Sequence, residues 1–461
     1  MAHHRKSAVF KEANRLRLTQ VPQPTIHTLF HNLRLPVSGT TYICTRRARP
    51  VEADRPIARL FAGDMLIIGC LWGRNKVSST TVSPNSYQIW AHLKKALDKS
   101  HSSWIMRVEV LFLEVLLLLS AIYTTGVDAN RSPSLGLNSS NLQLNGIAFG
   151  AIPAFKERYY PNTPSQINAK LPRPISIMGD YVELDRNAEG LRKIDWHLDT
   201  LLKLPGKPVY QIALMPNHGL LSVSPFVINR IAAKMAEINR NNVTVWLRFG
   251  HEMNGQWYNW GMNPWLFKDK WRALSVAVRR AAPDTYMMWA PNARFGDSVD
   301  STKGGYTQYW PGSDYVDIAA LSFYHFGGTR RRNLIPRENL ALEKIQEFSK
   351  LYGSQGEGKP IVLAETSAPF TRLISTKQPE RGGASERDIK ITWLKQLFSQ
   401  NMKRSVPDLK AISWFEIIKS ETAPGRSDAK SEDFRLLLGN RGVSEEAQEY
   451  MQQTISNDKD E

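Results

Sequence analysis

The chain predicts an α/β fold, a closed (β/α)8 barrel of the TIM type, over residues 142–455. Three observations carry this. Eight short apolar or β-branched runs recur from Leu142 onward. Segments with apolar residues at helical spacing separate several of them, and strand alternating with helix implies a parallel sheet. Eight such repeats in one region of this length suit one closed barrel. No glycine-rich phosphate loop follows the first run, which counts against a doubly wound open sheet.

The segments before the barrel read differently. Residues 1–105 are expected to be a basic, disordered extension, or sequence upstream of a true start at Met106. Of the 60 Lys and Arg in the 461-residue chain, 17 precede residue 130, against only 8 of the 43 Asp and Glu. A basic chain can signal nucleic acid. No nucleic-acid motif accompanies this charge, so no such partner is expected. Residues 106–129, "MRVEVLFLEVLLLLSAIYTTGVDA", pair a basic residue with an apolar stretch centred on Leu111–Ile122. The small residues Val127 and Ala129 then suit signal peptidase. The stretch is short for a spanning helix and is interrupted by Glu114. It predicts a cleaved signal peptide and a secreted protein, with a signal-anchor as the alternative, in which case the chain meets a membrane. Asn130, Asn138 and Asn242 open glycosylation triplets compatible with secretion. Residues 130–141 are polar and read as a linker. The cysteines, Cys44 and Cys70, both lie upstream, so the barrel region has neither a disulfide framework nor a Cys-based metal site.

The eight strand candidates are Leu144–Phe149, Ile175–Met178, Val209–Leu214, Thr244–Phe249, Tyr286–Trp289, Val316–Leu321, Ile361–Leu363 and Ala411–Phe415. Helical spacing fills "SPFVINRIAAKMAEINR" before the fourth and "FKDKWRALSVAVRRAAP" before the fifth. It also fills "ENLALEKIQEFSKLYG" before the seventh, where Gly353 is the stop signal.

Active-site groups of such barrels sit just past the C-terminal ends of the strands. Two glutamates are so placed: Glu252 after the fourth strand, "VWLRFGH", and Glu365 after the seventh, "PIVLA". Side chains alternate along a strand, so Arg248, Gly250 and Glu252 would share the inward face. An inward Arg248 is costly alone and is expected to pair with a carboxylate. Two carboxylates across a sugar-sized gap are what glycosidic hydrolysis requires: one protonates the leaving oxygen, the other attacks the anomeric carbon. Trp257, Tyr258, Trp260, Trp310 and Trp414 offer flat faces on which sugar rings stack. His218 in "MPNHG", Asn292 in "WAPN", Asp180 and His325 occupy barrel-mouth positions where sugar hydroxyls could be met. "HEMNG" lacks the second histidine of a zinc motif, and no Gly-x-Ser-x-Gly is present. No metal or organic cofactor is expected.

At these residues the chain resembles a known family. "RFGHEMNGQWYNWG" is similar to the acid/base motif of glycoside hydrolase family 26, best known for endo-β-1,4-mannanases that retain configuration. "WPGSDYVDIAALSFY" resembles the family's stretch through the sixth strand. The resemblance implies that Glu252 is the acid/base and Glu365 the nucleophile. It further implies that His251 contacts the sugar or the nucleophile, that Tyr324 hydrogen-bonds the nucleophile, and that Trp257 and Trp260 line sugar subsites. Many members carry Glu-Phe-Gly at the nucleophile, where this chain reads "LAETSAPF". The expected activity is hydrolysis of a β-linked polysaccharide, mannan first. The alternatives are hydrolysis of β-1,3-xylan or mixed-linkage β-glucan, or a catalytically silent carbohydrate-binding barrel.

Overall fold

The computed structural model describes residues 134–155, 162–328, 332–379, 381–422 and 429–457. The segments 1–105 and 106–129, with the extension and the signal-like stretch assigned to them, lie outside the described residues.

The barrel opens with a hairpin. β1 (Gln143–Leu144) pairs antiparallel with β2 (Ile147–Pro153). The turn between them is Asn145-Gly146, both at positive φ, the geometry two-residue hairpins need. Seven further strands run parallel to β2: β3 (Ile177–Glu183), β4 (Val209–Met215), β5 (Val245–Phe249), β6 (Thr285–Trp289), β7 (Ile318–Tyr324), β8 (Ile361–Ser367) and β10 (Leu409–Glu416). β10 pairs with both β8 and β2, and β2 with β3, so the sheet closes as a (β/α)8 barrel. Between β8 and β10 lies β9 (Phe370–Leu373). It joins β11 (Ile418–Thr422) and β12 (Ala429–Asp433) in a small antiparallel sheet that the sequence reading did not foresee.

Strand alternation divides the barrel residues into two layers. Ile177, Val209, Trp246, Met288, Ile318, Ala320, Val362 and Ala411 fill the interior. Met178, Ile212, Leu247, Phe249, Leu321, Leu363 and Ile412 face outward into the helix layer. The helices cover that layer through apolar stripes. α3 (Pro225–Arg240), after α1 (Pro164–Asn168) and α2 (Lys193–Leu202), buries Val227, Ile231, Met235 and Ile238. Ser224 caps it by accepting from the Val227 N–H, and Pro225 occupies the first turn, where its missing donor costs nothing. α4 (Pro264–Ala281) starts in the same way on Asn263. α5 (Leu340–Tyr352) stops at Gly353, α6 (Glu386–Leu397) and α7 (Gln400–Ser405) follow, and α8 (Arg441–Asn457) closes the chain. Among the described residues no helix is long and apolar enough to cross a membrane.

Residues 134–141, the described part of the segment expected to be a linker, pack against the barrel floor. Leu135 joins the interior cluster and its carbonyl accepts from Trp246 Nε1 at 3.0 Å. The Asn138 and Asn141 amides both donate to the Gly206 carbonyl. The polar composition that suggested a linker serves to satisfy exposed backbone at the floor.

Candidate active site

Glu252 is placed by a turn rather than by the strand itself. β5 ends at Phe249, but the Gly250 N–H still donates to the Leu214 carbonyl and the Glu252 N–H to that of Ala290. Between them the chain reverses through positive φ at Gly250 (54°) and again at Glu252 (54°). A glutamate rarely adopts that region, and a held outlier of this kind costs on the order of 1–3 kcal/mol. It turns the carboxyl inward, where Oε2 accepts from Trp257 Nε1 at 2.6 Å and Oε1 from Asn292 Nδ2 at 3.2 Å. Asn254 holds Asn292 by two bonds at 2.9 Å, one accepted from the Asn292 N–H and one donated to its carbonyl. Trp257 lies flat over Gly255, where a β-carbon would stand 2.4 Å from the indole.

Glu365 reaches the same cavity through a β-bulge. Against β7, Leu321 pairs with Leu363 but Ser322 pairs with Glu365, so Ala364 is the extra residue. The register with β10 skips at the same place. Without the bulge, Glu365 would share the outward face of Leu363; the added residue flips it inward. The Ala364 carbonyl accepts from Gln211 Nε2 at 2.8 Å across the interior, and Gln211 in turn accepts from Ser413. Arg248, fully buried and inward as expected, donates Nη1 to Glu365 Oε2 at 2.6 Å and Nη2 to Ser322 Oγ. The Tyr181 hydroxyl donates to that same Oε2.

The two carboxyls are driven apart. Burial, then the negative charge of Glu365, raises Glu252 above its ordinary value. Burial opposes ionisation of Glu365, but the Arg248 guanidinium outweighs it, aided by the hydrogen bonds from Tyr181 and Arg248. Glu365 is held well below the carboxylate range. His251, buried against the rings of Tyr181, Tyr258 and Trp260, is pushed down by burial and by Arg248, which keeps it neutral. The two buried glutamates are thus pushed in opposite directions, Glu252 toward its acid form and Glu365 toward its carboxylate. Among the described residues no group of His, Cys, Asp and Glu is arranged to hold a metal ion.

The remaining expected site residues divide. Asn292 and Trp257 bind Glu252 directly, and Trp257 keeps 48% of its surface exposed, beside the half-exposed Phe295. Tyr324 projects inward, two residues beyond Ser322, but does not hydrogen-bond Glu365: its hydroxyl is buried without a partner, and Tyr181 makes that bond instead. Trp260 is no open stacking face. It is 1% exposed, its Nε1 donates to the His251 carbonyl and its ring stacks under Tyr258 at 4.2 Å. Trp414 shares the outward parity of Ile412 and is buried in the helix layer, donating to the Phe434 carbonyl. Asp180 also points outward, bound to His197 and Tyr210. His325 Nε2 donates to the Leu334 carbonyl, and Trp310 packs on Trp289 and Tyr352. His218 is exposed and hydrogen-bonds neither carboxyl. The reading missed Tyr181, Asn254, Gln211 and Phe415. Tyr181 was recoverable: it follows Ile177 and Gly179 at period two, and the expected strand stops at Met178, five residues short of Glu183.

Residues 218–372 match the family model of glycosyl hydrolase family 26. That stretch contains both glutamates and is similar to glycosyl hydrolase family 26 over about a third of the chain. The chain is similar to "Mannan endo-1,4-beta-mannosidase A and B" of Caldalkalibacillus mannanilyticus, 35% identical over 104 residues that cover 22% of this chain and 20% of that protein. It is also similar to a mannan endo-1,4-beta-mannosidase of Bacillus subtilis, 31% identical over 21% of this chain and 28% of that protein. The matched region thus spans less than a third of either relative. Among solved structures, the catalytic domain of the Bacillus sp. JAMB-750 GH26 endo-beta-1,4-mannanase aligns over 62% of this chain and 85% of that one, at 16% identity and a TM-score of 0.43.

Proposed function

We propose that the chain is a secreted, retaining glycoside hydrolase that cleaves internal β-1,4 bonds of mannan. The observation that carries this is the opposed pair: Glu252 raised and Glu365 lowered in one buried cavity. In the first step Glu365 Oε1 bonds the anomeric carbon while the glycosidic C–O bond breaks. The Glu252 proton goes to the departing oxygen. In the second, Glu252 takes a proton from water, the water oxygen bonds the anomeric carbon, and Glu365 leaves as carboxylate. The half-exposed Trp257 is offered to the sugar, while His251, wholly buried, packs against Tyr181 and Tyr258. Mannan is supported by the activity named for both bacterial relatives. Secretion is supported by the pattern of residues 106–129.

The test is reducing-end release by residues 130–461 on glucomannan, galactomannan, β-1,3-xylan and barley β-glucan, with Glu252→Ala and Glu365→Ala alongside. We expect mannan cleavage, lost by about 10²–10⁴-fold in Glu252→Ala, the usual weight of general acid–base catalysis, and by more in Glu365→Ala. NMR of the first-released anomer should show retained configuration. Tight binding with no cleavage of any polymer would replace the hydrolase by a sugar-holding barrel, and an inverted product would replace the covalent step.

A further inference from the structure

Glu365 is not held symmetrically. Both of its donors, the Tyr181 hydroxyl from β3 and Arg248 Nη1 from β5, converge on Oε2, and no hydrogen bond of the described residues reaches Oε1. A carboxylate fixed by one oxygen presents the other. Tyr181 is directed here by its strand: Ile177, Gly179 and Tyr181 face inward together. Gly179 leaves no room for a β-carbon, which would stand 2.5 Å from Ile152 Cγ1. The Tyr181 ring is braced by Phe415 at 6.1 Å and His251 at 5.7 Å. The Asp180 carboxylate, itself bound to His197 and Tyr210, accepts the Tyr181 N–H at 2.8 Å and so pins the backbone that carries the ring. Tyr324 stands across the cavity with its ring against Phe326, Phe415 and Phe434, and its hydroxyl touches no acceptor.

We propose that Tyr181, and not Tyr324, is the positioning residue that holds the nucleophile, and that with Arg248 it makes Oε1 of Glu365 the attacking oxygen. This rests on the hydrolase reading. On attack, Oε1 becomes the ester oxygen and Oε2 the carbonyl oxygen. When water releases the sugar, the electron pair of the breaking C–O bond returns to the carboxylate, and the donors waiting at Oε2 stabilise it. Tyr181 therefore serves both steps without touching the sugar.

Tyr181→Phe and Tyr324→Phe separate the two tyrosines. Tyr181→Phe should lower kcat by about 10- to 100-fold, the size of one hydrogen bond to a charged group, and should move the acid limb of kcat/KM upward, because the ionised nucleophile loses a donor. Tyr324→Phe should leave that limb in place. A second readout needs no turnover. In protein labelled with [13C]glutamate, the carboxyl resonance of Glu365, assigned by its loss in Glu365→Gln, should shift and titrate higher in Tyr181→Phe and stay put in Tyr324→Phe. Movement in Tyr324→Phe alone, or in neither variant, overturns the proposal. Should wild-type protein cleave no polymer, the hydrolase reading fails while the carboxyl titration still decides which tyrosine holds Glu365.

Discussion

Arg248 is the residue on which the site's chemistry turns. It is fully buried, and its charge is offset by Glu365 alone among the ion pairs of the described residues. Removing one partner of such a pair leaves an uncompensated charge in the interior, at a cost of about 3–5 kcal/mol. Arg248→Met should therefore unfold at markedly lower urea at pH 7. The pH dependence has a definite sign. Glu365 is depressed in the folded state, so its contribution is fully present above its unfolded value and is lost as pH falls toward the folded one. The stability gap between wild type and Arg248→Met should narrow below about pH 4.5, the ordinary glutamate range. Urea titrations at pH 7 and pH 3 check this, and a gap that widens in acid would mean that Arg248 does not hold Glu365 ionised.

Two short elements do the positioning: the loop from Gly250 to Gly261 and the bulge in β8. In the loop, Gly255 matters because the Trp257 indole lies where its β-carbon would be. Gly255→Ala must push Trp257 away and break its bond to Glu252 Oε2. That bond favours the ionised carboxyl, so its loss raises Glu252 further and carries the alkaline limb of kcat/KM upward. We expect a measurable upward shift of that limb with little change in melting temperature, since the indole is half exposed. A pH–rate profile decides it; an unmoved limb would mean the tryptophan is only a sugar platform. In the bulge, "LAETSAPF" departs from the glycine expected after the nucleophile. The residues there are all engaged: Thr366 Oγ1 donates to the Phe323 carbonyl and Ser367 Oγ to that of Phe434.

At the scale of the whole molecule, the barrel is closed at its floor by residues 134–141 and capped at its mouth by the small sheet of β9, β11 and β12. The cap is tied down electrostatically. Lys390, fully buried on α6, bonds Glu386 and the Arg435 carbonyl, and Glu416 at the end of β10 accepts the N–H groups of Leu436, Leu437 and Leu438. The floor bears on maturation. Cleavage after Ala129 would leave Leu135, Asn138 and Asn141 in place, whereas a cut beyond Leu135 would unseat the group that Trp246 donates to. Protein recovered from culture medium should begin at Asn130 by N-terminal sequencing. Retention of the chain in the membrane fraction with residues 106–129 intact would instead make the segment an anchor.

Much of the barrel was legible in the chain because its signals are local. Eight apolar runs, helical spacing between them and capping residues such as Ser224 and Asn263 each act within a few positions. Glu252 was legible too, since its motif is contiguous, although the turn through Gly250 and Glu252, and not strand alternation, carries it inward. What the tertiary structure decided lies where neighbouring strands set the outcome. By alternation alone, Ile361, Leu363 and Glu365 share a face, and only the register against β7 and β10 shows that Ala364 bulges and turns Glu365 inward. The same holds for Trp414 and Trp260, whose chemistry suits a sugar but whose places are inside the packing, and for Tyr181, whose worth appears only when Glu365 arrives from 184 residues away. A period-two pattern reports which way a side chain points along its own strand. It carries no information on an inserted residue or on which partner waits across the barrel.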